Sequence, residues 1–295
     1  MPELGCDCLI CREMKRISEK RERTSLFLSN DSTILIDCGP DARSQLSRHN
    51  VKRIDAVLIT HEHNDHYIGL DELFVYKRNC PRGTFTPVQV YLSAESYEVV
   101  GPRFEYLEDM EVIRMVKVTP NDWFKQGEFD ILPFKTDHGP FAKGSVGFLI
   151  KFKDYSGKIR RLVYTSDFAD IPDLPSELLN PDYLVIQSFW LNEPVNNRPR
   201  HMSFQRAIHF IERLSPKDET FLVHIGDADM VLDDPANTML KKYRPKDPLR
   251  PLSGGDPYPI PLNQAGWQET VDMIMRDRDL PYKVTVARDD LRLRL

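Results

Sequence analysis

The chain concentrates metal-binding residue types in one short stretch, residues 60–66, with the sequence Thr-His-Glu-His-Asn-Asp-His. The ligand-type residues in it are His61, His63, Asp65 and His66. Imidazole and carboxylate groups are accepted by zinc, manganese and iron. An apolar, β-rich run precedes the stretch (residues 53–60), and a run with helix-like apolar spacing follows it (residues 68–76). We therefore expect these side chains on a strand-to-helix loop that a rigid sheet holds in place.

The spacing of the histidines indicates an extended loop. His61 and His63 alternate, whereas a helical zinc-protease motif of the H-E-x-x-H type places its two histidines four positions apart. The alternative is a solvated loop that is rich in histidine by chance. Four potential ligands packed this tightly behind a hydrophobic strand disfavour that alternative.

Three further ligand-type residues follow apolar runs later in the chain. His138 lies in the segment ILPFKTDHGP, Asp167 follows LVYTS, and His224 follows TFLV. Each run has the composition of a strand, so each residue is expected at a strand end. Taken singly, a histidine is more often a surface or core residue than a ligand. Taken together with the first stretch, these residues indicate a metal centre.

The H-x-H-x-D-H sequence resembles the signature of the metallo-β-lactamase superfamily, and the later His, Asp and His follow in the order of that family. The resemblance implies an α/β fold, the four-layer αββα sandwich, with two divalent metal ions at one edge between its sheets. The ligands it implies are His61, His63 and His138 for one ion, Asp65, His66 and His224 for the second, and Asp167 as a bridge. Zinc, manganese and iron all fit these ligands.

Two details favour the hydrolytic branch of this superfamily. Asp65 supplies the carboxylate of a second metal site, and His63 stands where the diiron oxidoreductase branch typically has Glu. Residues 37–41 (Asp-Cys-Gly-Pro-Asp) resemble the Asp-x-Gly turn of the family. We expect Gly39 to allow a positive φ there and Asp37 either to orient the ligand loop or to cap the turn.

A second group of ligand types begins the chain, with Cys6, Cys8 and Cys11 in C-x-C-x-x-C spacing. Thiolates at such short spacing can wrap one zinc ion, and reduced free thiols are the alternative. The segment resembles the structural zinc site of the phosphoribosyl cyclic phosphodiesterase group of the carbon–phosphorus lyase pathway. In that group a His three positions after the last catalytic His completes the site, whereas this chain has Asp227 there. The resemblance therefore implies a Cys3Asp structural zinc.

His201 lies in the run Asn-Arg-Pro-Arg-His of residues 197–201, just before a helical pattern at residues 203–214. The run is similar to the Arg-x-His region of the same group, whose His is thought to protonate the leaving group. A nearby helix N-terminus lowers the pKa of an imidazole somewhat. A solvated loop histidine or a helix cap is the other interpretation of His201.

These resemblances together predict a phosphodiesterase in which a hydroxide bridging two metals attacks a small cyclic or nucleotide-like phosphodiester. Asp65 and His201 are the predicted catalytic residues. Two alternatives stay open at this point. One is an RNA-processing nuclease like ribonuclease Z, which the Pro-rich residues 229–279 would suit. The other is a non-catalytic binding protein that a metal stabilises.

Composition favours a soluble cytoplasmic enzyme. The chain has 295 residues, of which 41 % are hydrophobic and 29 % charged, enough for a large buried core. No apolar run reaches the roughly 18 residues of a membrane helix, and no secretory signal is expected. Five cysteines, three of them ligand-like, indicate reduced thiols. A net charge of −5 disfavours nucleic acid as a partner, and a homodimer stays open.

The pattern of elements predicts a single domain over residues 1–295 with alternating strands and helices. Strand-like runs are residues 25–28, 33–36, 55–60, 88–92, 147–152, 161–165, 183–187 and 220–223. Helical patterns are residues 41–49, 68–76, 94–100 and 203–214. Insertions relative to a minimal core are expected near residues 99–121 and 229–279. Two further β-like runs, around an Asp-Asp turn, are expected in residues 283–295.

Overall fold

Contacts within the computed structural model, which describes residues 1–294, group the chain into two units. The central unit comprises Arg23–Arg161 and Asp170–Pro175. The terminal unit comprises Met1–Glu22, Leu162–Ala169 and the residues from 176 onward. The single domain predicted for residues 1–295 stays a prediction.

A five-stranded sheet opens the central unit. Its strands are β1 (Leu26–Ser29), β2 (Thr33–Ile36), β3 (Ala56–Leu58), β4 (Val88–Ser93) and β5 (Ile113–Val118). β1 and β2 form an antiparallel hairpin, and the remaining neighbours pair in parallel in sequence order. The last residues of β2 and β3, Ile36 and Leu58, are register partners. The segments that follow these two strands therefore leave the sheet at the same edge.

Short helices connect the strands of this sheet and cover it with apolar side chains. They are α2 (Ala42–Arg48), α3 (Asn64–Tyr67), a 3₁₀ helix (Ile68–Leu73), α4 (Phe74–Asn79) and α5 (Ala94–Asp109). Helix residues Leu70 and Phe104 belong to the same buried cluster as the strand residues Val57 and Val90. Burial of each such side chain stabilises the unit by about 1.5–3 kcal/mol. α5 is kinked at Phe104, two residues after Pro102, which lacks a backbone N–H.

An antiparallel meander follows in the central unit. Its strands are β6 (Phe124–Gln126), β7 (Phe129–Lys135) and β8 (Val146–Lys153). The first residue of β8 donates its backbone N–H to the carbonyl of Thr60 at 2.9 Å. The meander thus contacts the segment that carries the first histidines.

The terminal unit contains parallel strands and three α-helices. The last part of β9 (Ile159–Tyr164) belongs to this unit from Leu162 onward. The other strands are β10 (Tyr183–Gln187), β11 (Glu219–Val223) and β12 (Val284–Val286), and each strand pairs in parallel with the next. The helices are α1 (Leu9–Arg16), α6 (Phe204–Leu214) and α7 (Gln264–Asp277). All five residues of β10 are buried, as expected for an apolar run in a parallel sheet. The hydroxyl of Ser203 accepts from the N–H of Arg206 and caps α6.

The predicted strands and helices are confirmed, most of them with boundary shifts of one or two residues. The helix predicted at residues 94–100 continues to Asp109, and the one predicted at residues 68–76 is a 3₁₀ helix followed by α4. The stretch near residues 99–121 holds the rest of α5 and all of β5, and the stretch 229–279 holds α7. The second β-like run of the chain end is wrong, because residues 291–294 form no strand; Leu295 lies outside the described residues. Among residues 1–294, none of the helices combines the length and apolar character needed to cross a membrane.

Candidate metal centres

Three imidazoles meet in the central unit. His61 and His63 lie on the loop between β3 and α3, and His138 follows the end of β7 by three residues. His61 and His138 are buried and His63 is half-buried. The strand ends therefore bring two distant parts of the sequence to one place.

The spacing of the nitrogens fits a single metal ion. One ring nitrogen from each histidine lies within 4.8 Å of the others, and Nδ1 of His63 is 3.2 Å from Nε2 of His138. Two ligands of a tetrahedral zinc with Zn–N bonds of about 2.0–2.1 Å are separated by roughly 3.3–3.4 Å. The hydroxyl of Thr60 lies 3.0 Å from Nδ1 of His61. The nitrogen of His61 that a metal would take is therefore Nε2.

Asp37 supports this loop from the end of β2, as its predicted orienting role requires. Its Oδ1 accepts the backbone N–H of Thr60 at 2.9 Å, and its Oδ2 lies 2.7 Å from Nδ1 of His66. Complete burial raises the pKa of Asp37, although His66 and Thr60 act in the opposite direction. The carboxylate holds the His66 ring so that its other nitrogen, Nε2, is the one suited to a metal.

Asp65 and His66 lie on the four-residue helix α3, directly after the loop. Oδ2 of Asp65 is 3.7 Å from Nε2 of His66, and the Asp65 side chain is partly exposed. A carboxylate oxygen and an imidazole nitrogen at this separation can bind one cation together.

The role predicted for Gly39 is wrong. The positive φ in this turn belongs to Asp37, at 59°, and Gly39 has no positive φ. A Cβ on residue 39 would lie 2.1 Å from the carbonyl oxygen of Asp65. Glycine is required at this position because the backbone of α3 passes directly over it.

The terminal unit contributes a second group of candidate residues, Asp167, His201 and His224. Oδ1 of Asp167 contacts Nδ1 of His224, and Oδ2 of Asp167 is 3.7 Å from Nδ1 of His201. Asp167 and His224 follow β9 and β11, and the backbone is left-handed at Ser166 (φ 63°) and at His224 (φ 54°). Neighbouring parallel strands thus bring together residues that are far apart in the sequence.

His201 is held from several sides, and sequence analysis did not identify the residues that hold it. Its ring stacks on Phe189 with centroids 4.4 Å apart, and Nδ1 lies 2.7 Å from Nε2 of Gln187. Asn197 binds the backbone of His201 through both its amide oxygen and its amide nitrogen. The only sequence signal for Gln187 is a polar residue at the end of an apolar strand.

The cysteine group forms a compact donor set in the terminal unit. Ligand atoms of Cys6, Cys8, Cys11 and Asp227 lie within 4.8 Å of one another, and all these residues are buried. Oδ2 of Asp227 is 3.0 Å from Sγ of Cys11 and 3.8 Å from Sγ of Cys8. Ligands of a tetrahedral zinc with Zn–S bonds of about 2.3 Å are separated by roughly 3.5–3.8 Å. The donor set fits zinc, with Asp227 in the fourth position.

The surroundings of the cysteine group act differently on its two thiols. The hydrogen bond between Cys11 and Cys8 lowers the pKa of Cys8 to about 5 and raises the pKa of Cys11. Burial acts to raise the pKa of Asp227, but hydrogen bonds from Lys241 and Cys11 bring it below its usual range. Nζ of Lys241 contacts Oδ2 of Asp227 directly, a partner that the sequence did not predict.

Comparison with known protein families gives a match to a model described as the beta-lactamase superfamily domain, over residues 32–225. An octanoyltransferase of Porphyromonas gingivalis is 28 % identical over 234 residues, covering 77 % of this chain and 43 % of that protein. A ribonuclease Z of Methanopyrus kandleri is 29 % identical over 130 residues, covering 41 % of this chain and 42 % of that protein. The aligned region is less than half the length of each relative.

Solved structures share the fold at low sequence identity. A diphosphatase described as a member of the PhnP family has a TM-score of 0.69 and 23 % identity, with coverage of 100 % of this chain and 92 % of that one. The short form of human tRNase Z has a TM-score of 0.55 and 18 % identity, with coverage of 70 % and 86 %. At these identities the similarity establishes the fold alone.

Proposed function

The chain belongs to the beta-lactamase superfamily, and from this premise we propose that it is a dinuclear metal-dependent phosphodiesterase acting on a small cyclic or nucleotide-like phosphodiester. The α/β metallo-β-lactamase fold predicted from the sequence is confirmed. The protein is a hydrolase of this fold with clusters of metal-binding residues. The substrate and the number and identity of the metals are the subject of the proposal.

The observation that carries the proposal is the group of three imidazoles on the β3–α3 loop and after β7. The distance of 3.2 Å between Nδ1 of His63 and Nε2 of His138 suits two ligands on one ion. Asp37 and Thr60 hold the rings from behind, as residues supporting metal ligands commonly do.

The assignment of ligands follows their order along the chain in the family. The proposed ligands are His61, His63 and His138 for one ion, Asp65, His66 and His224 for the other, and Asp167 for both. Divalent cations held in this way lower the pKa of a water molecule and offset charge on phosphoryl oxygens. His201 donates a hydrogen to the leaving-group oxygen, and Asp37 keeps His66 in its orientation.

The phosphodiester class is supported by the relatives. Several sequence relatives are named ribonuclease Z, and the PhnP-family structure is a diphosphatase. Arg198 and Arg200 precede the predicted leaving-group histidine in the chain and would offer positive charge to a phosphate. The net charge of −5 favours a small substrate over a long RNA.

The test is a metal analysis followed by a panel of cyclic and linear phosphodiesters, with Asp65→Ala as the matched variant. Wild-type protein loaded with zinc, manganese or iron is expected to hydrolyse at least one small diester. Asp65→Ala should lose one metal equivalent and at least about a hundredfold in activity. Wild-type activity in an Asp65→Ala protein with one metal would contradict the dinuclear mechanism.

The same panel separates the alternatives. Cleavage of a precursor tRNA with no activity on small diesters would identify a nuclease like ribonuclease Z. Two bound metals with no hydrolysis of any diester would identify a non-catalytic binding protein. The cytoplasmic location and a homodimer stay predictions.

A further inference from the structure

We propose that Gln187 is a positioning residue that fixes the tautomer of His201, so that the ring hydrogen lies on Nε2. The proposal deepens the proposed function and rests on it, because His201 is the residue assigned to the leaving group. Every residue used in the argument belongs to the terminal unit.

Gln187 is the last residue of β10 and is fully buried. Its Oε1 accepts the backbone N–H of Phe168 at 3.0 Å and the backbone N–H of Met202, also at 3.0 Å. Its Nε2 lies 2.7 Å from Nδ1 of His201. The three contacts hold the amide in a defined position between the segment after β9 and the segment before α6.

The two backbone contacts determine which way the amide points. The oxygen and nitrogen of a side-chain amide are similar in size, so shape alone does not distinguish the two orientations. A backbone N–H can only donate, and therefore the atom facing Phe168 and Met202 must be the oxygen of Gln187. The reversed amide would leave two buried N–H groups without an acceptor, at a cost of about 1–3 kcal/mol each.

The orientation of Gln187 in turn determines the hydrogen on the imidazole. An amide nitrogen only donates, so Nδ1 of His201 accepts, and the hydrogen of the neutral ring lies on Nε2. Oδ2 of Asp167 is 3.7 Å from Nδ1, beyond hydrogen-bond distance. Phe189 holds the ring plane by stacking at an interplanar angle of 20°. Both the plane and the tautomer of His201 are thus set by its surroundings.

This tautomer is the one that the proposed role needs. A neutral imidazole that donates a hydrogen bond to a leaving-group oxygen, and keeps its proton, must carry N–H on the nitrogen turned away from its support, which here is Nε2; this bond offsets the negative charge that grows on the oxygen. With the opposite tautomer, a lone pair would face the oxygen and repel it. Gln187 therefore acts on the reaction through His201 and needs no contact with substrate.

The first experiment reads the tautomer by nitrogen-15 NMR of histidine-labelled, zinc-loaded protein, with the His201 signals assigned by their absence in His201→Ala. In wild type, Nε2 is expected to carry hydrogen and Nδ1 to be bare. Gln187→Glu keeps one oxygen for the two backbone N–H groups and presents another to the ring, so Nδ1 should gain a hydrogen. Hydrogen on Nδ1 in wild type, or an unchanged pattern in Gln187→Glu, would overturn the proposal.

The second experiment compares two substrates in Gln187→Met, which keeps the side-chain length and removes the donor. We expect kcat to fall about tenfold to a hundredfold for a diester with an alkoxide leaving group, with little change in KM. A p-nitrophenyl diester, whose leaving group is a stable anion, should lose much less.

Asn192→Leu is the matched control. Asn192 is another buried amide of the same unit, which accepts the N–H of Leu249 at 2.8 Å. The Asn192→Leu variant should lower Tm without changing the ratio of kcat on the alkoxide diester to kcat on the p-nitrophenyl diester. Equal losses on both substrates in Gln187→Met would make the role of Gln187 merely structural.

Because the NMR experiment needs no substrate, failure of the tautomer assignment and failure of the proposed phosphodiesterase activity are distinguishable.

Discussion

Several candidate residues lie on or beside left-handed backbone where strands end. Asp37, Ser166 and His224 have φ angles of 59°, 63° and 54°. Residues other than glycine adopt this region at a cost of the order of 1–3 kcal/mol. Such a conformation persists because the surrounding contacts over-determine it, as the hydrogen bonds of Asp37 illustrate. These three residues are among thirteen non-glycine residues with positive φ in the described part of the chain, and most of the others lie away from the candidate ligands.

Replacing Asp37 by Asn should weaken metal binding without removing a ligand. The amide cannot offer a charged oxygen to Nδ1 of His66, so the ring loses its orienting partner. We expect the affinity for the metal to fall about tenfold to a hundredfold, measured by competition with a chromophoric chelator. Asp55→Asn is the control, because that carboxylate binds Thr33 and no ligand. Equal affinities in wild type and Asp37→Asn would show that the contact is not functional.

Replacing His201 by Ala should affect substrates according to their leaving groups. An alkoxide such as a ribose oxygen needs a hydrogen donor, whereas p-nitrophenolate hardly does. Hydrolysis of a ribose-type diester should fall by about a hundredfold to ten-thousandfold. Steady-state rates on the p-nitrophenyl ester should stay much closer to wild type. The same loss on both would mean that His201 binds the phosphate group and does not assist departure.

At the scale of secondary structure elements, turns between strands determine local stability. The turn between β8 and β9 is organised by Asp154, whose carboxylate accepts bonds from the Ser156 hydroxyl at 2.6 Å and from Nε of Arg160 at 2.8 Å. It also accepts the backbone N–H groups of Ser156 and Lys158. The Ser156 hydroxyl and the Arg160 guanidinium hold the pKa of Asp154 below its usual range.

The stabilisation from Asp154 should depend on pH in a defined direction. A carboxylate whose pKa is lower in the folded state stabilises fully above its unfolded pKa of about 3.9 and loses the contribution as pH falls through the folded value. Asp154→Asn should therefore be less stable than wild type at neutral pH, and the difference should shrink below about pH 4. Urea unfolding at several pH values measures the difference in unfolding free energy between the two proteins. Glu128→Gln, at an exposed residue, is the control. A difference that stayed constant to acid pH would disprove the assignment.

At the scale of the whole molecule, each unit holds a donor set of its own. The central unit has the three imidazoles, and the terminal unit has the cysteine group. Cys11 and Asp227 are separated by 216 positions in the chain. A metal that joins such distant segments removes much conformational freedom from the unfolded chain and should stabilise the terminal unit.

Cys8→Ser should lower Tm and zinc content more than it lowers the turnover of the folded protein. A zinc with four protein ligands has no open position for water, so the cysteine group is expected to stabilise and not to catalyse. Calorimetry with metal analysis, and kcat per folded molecule, are the measurements. Loss of kcat at unchanged Tm and zinc content would place the group in the active site.

Asp227→His tests the fourth position of the same site. Imidazole is a stronger zinc ligand than a carboxylate that is also paired with Lys241, so zinc should bind more tightly. The zinc affinity of the cysteine group is measured by chelator competition. An unchanged affinity would remove Asp227 from the ligands.

The sequence by itself determined the types of ligand, their spacing and the strands that present them. His61 and His63 are local in the chain, and their placement needs only a strand end and a short loop. His138, Asp167 and His224 were identified because each follows an apolar run, and strand ends are readable from composition. Local spacing and hydrophobic pattern carry this information because they depend on neighbouring residues alone.

Only the tertiary structure decided which residues support the candidate ligands and His201. The contacts of Asp37 with His66, Gln187 with His201, and Lys241 with Asp227 join residues that no local pattern connects. The reason predicted for a glycine at position 39 was wrong. A glycine is required there because the backbone of Asp65 passes over it. Hydrogen-bond direction and close approach depend on how distant segments meet, and that information exists only in the folded chain.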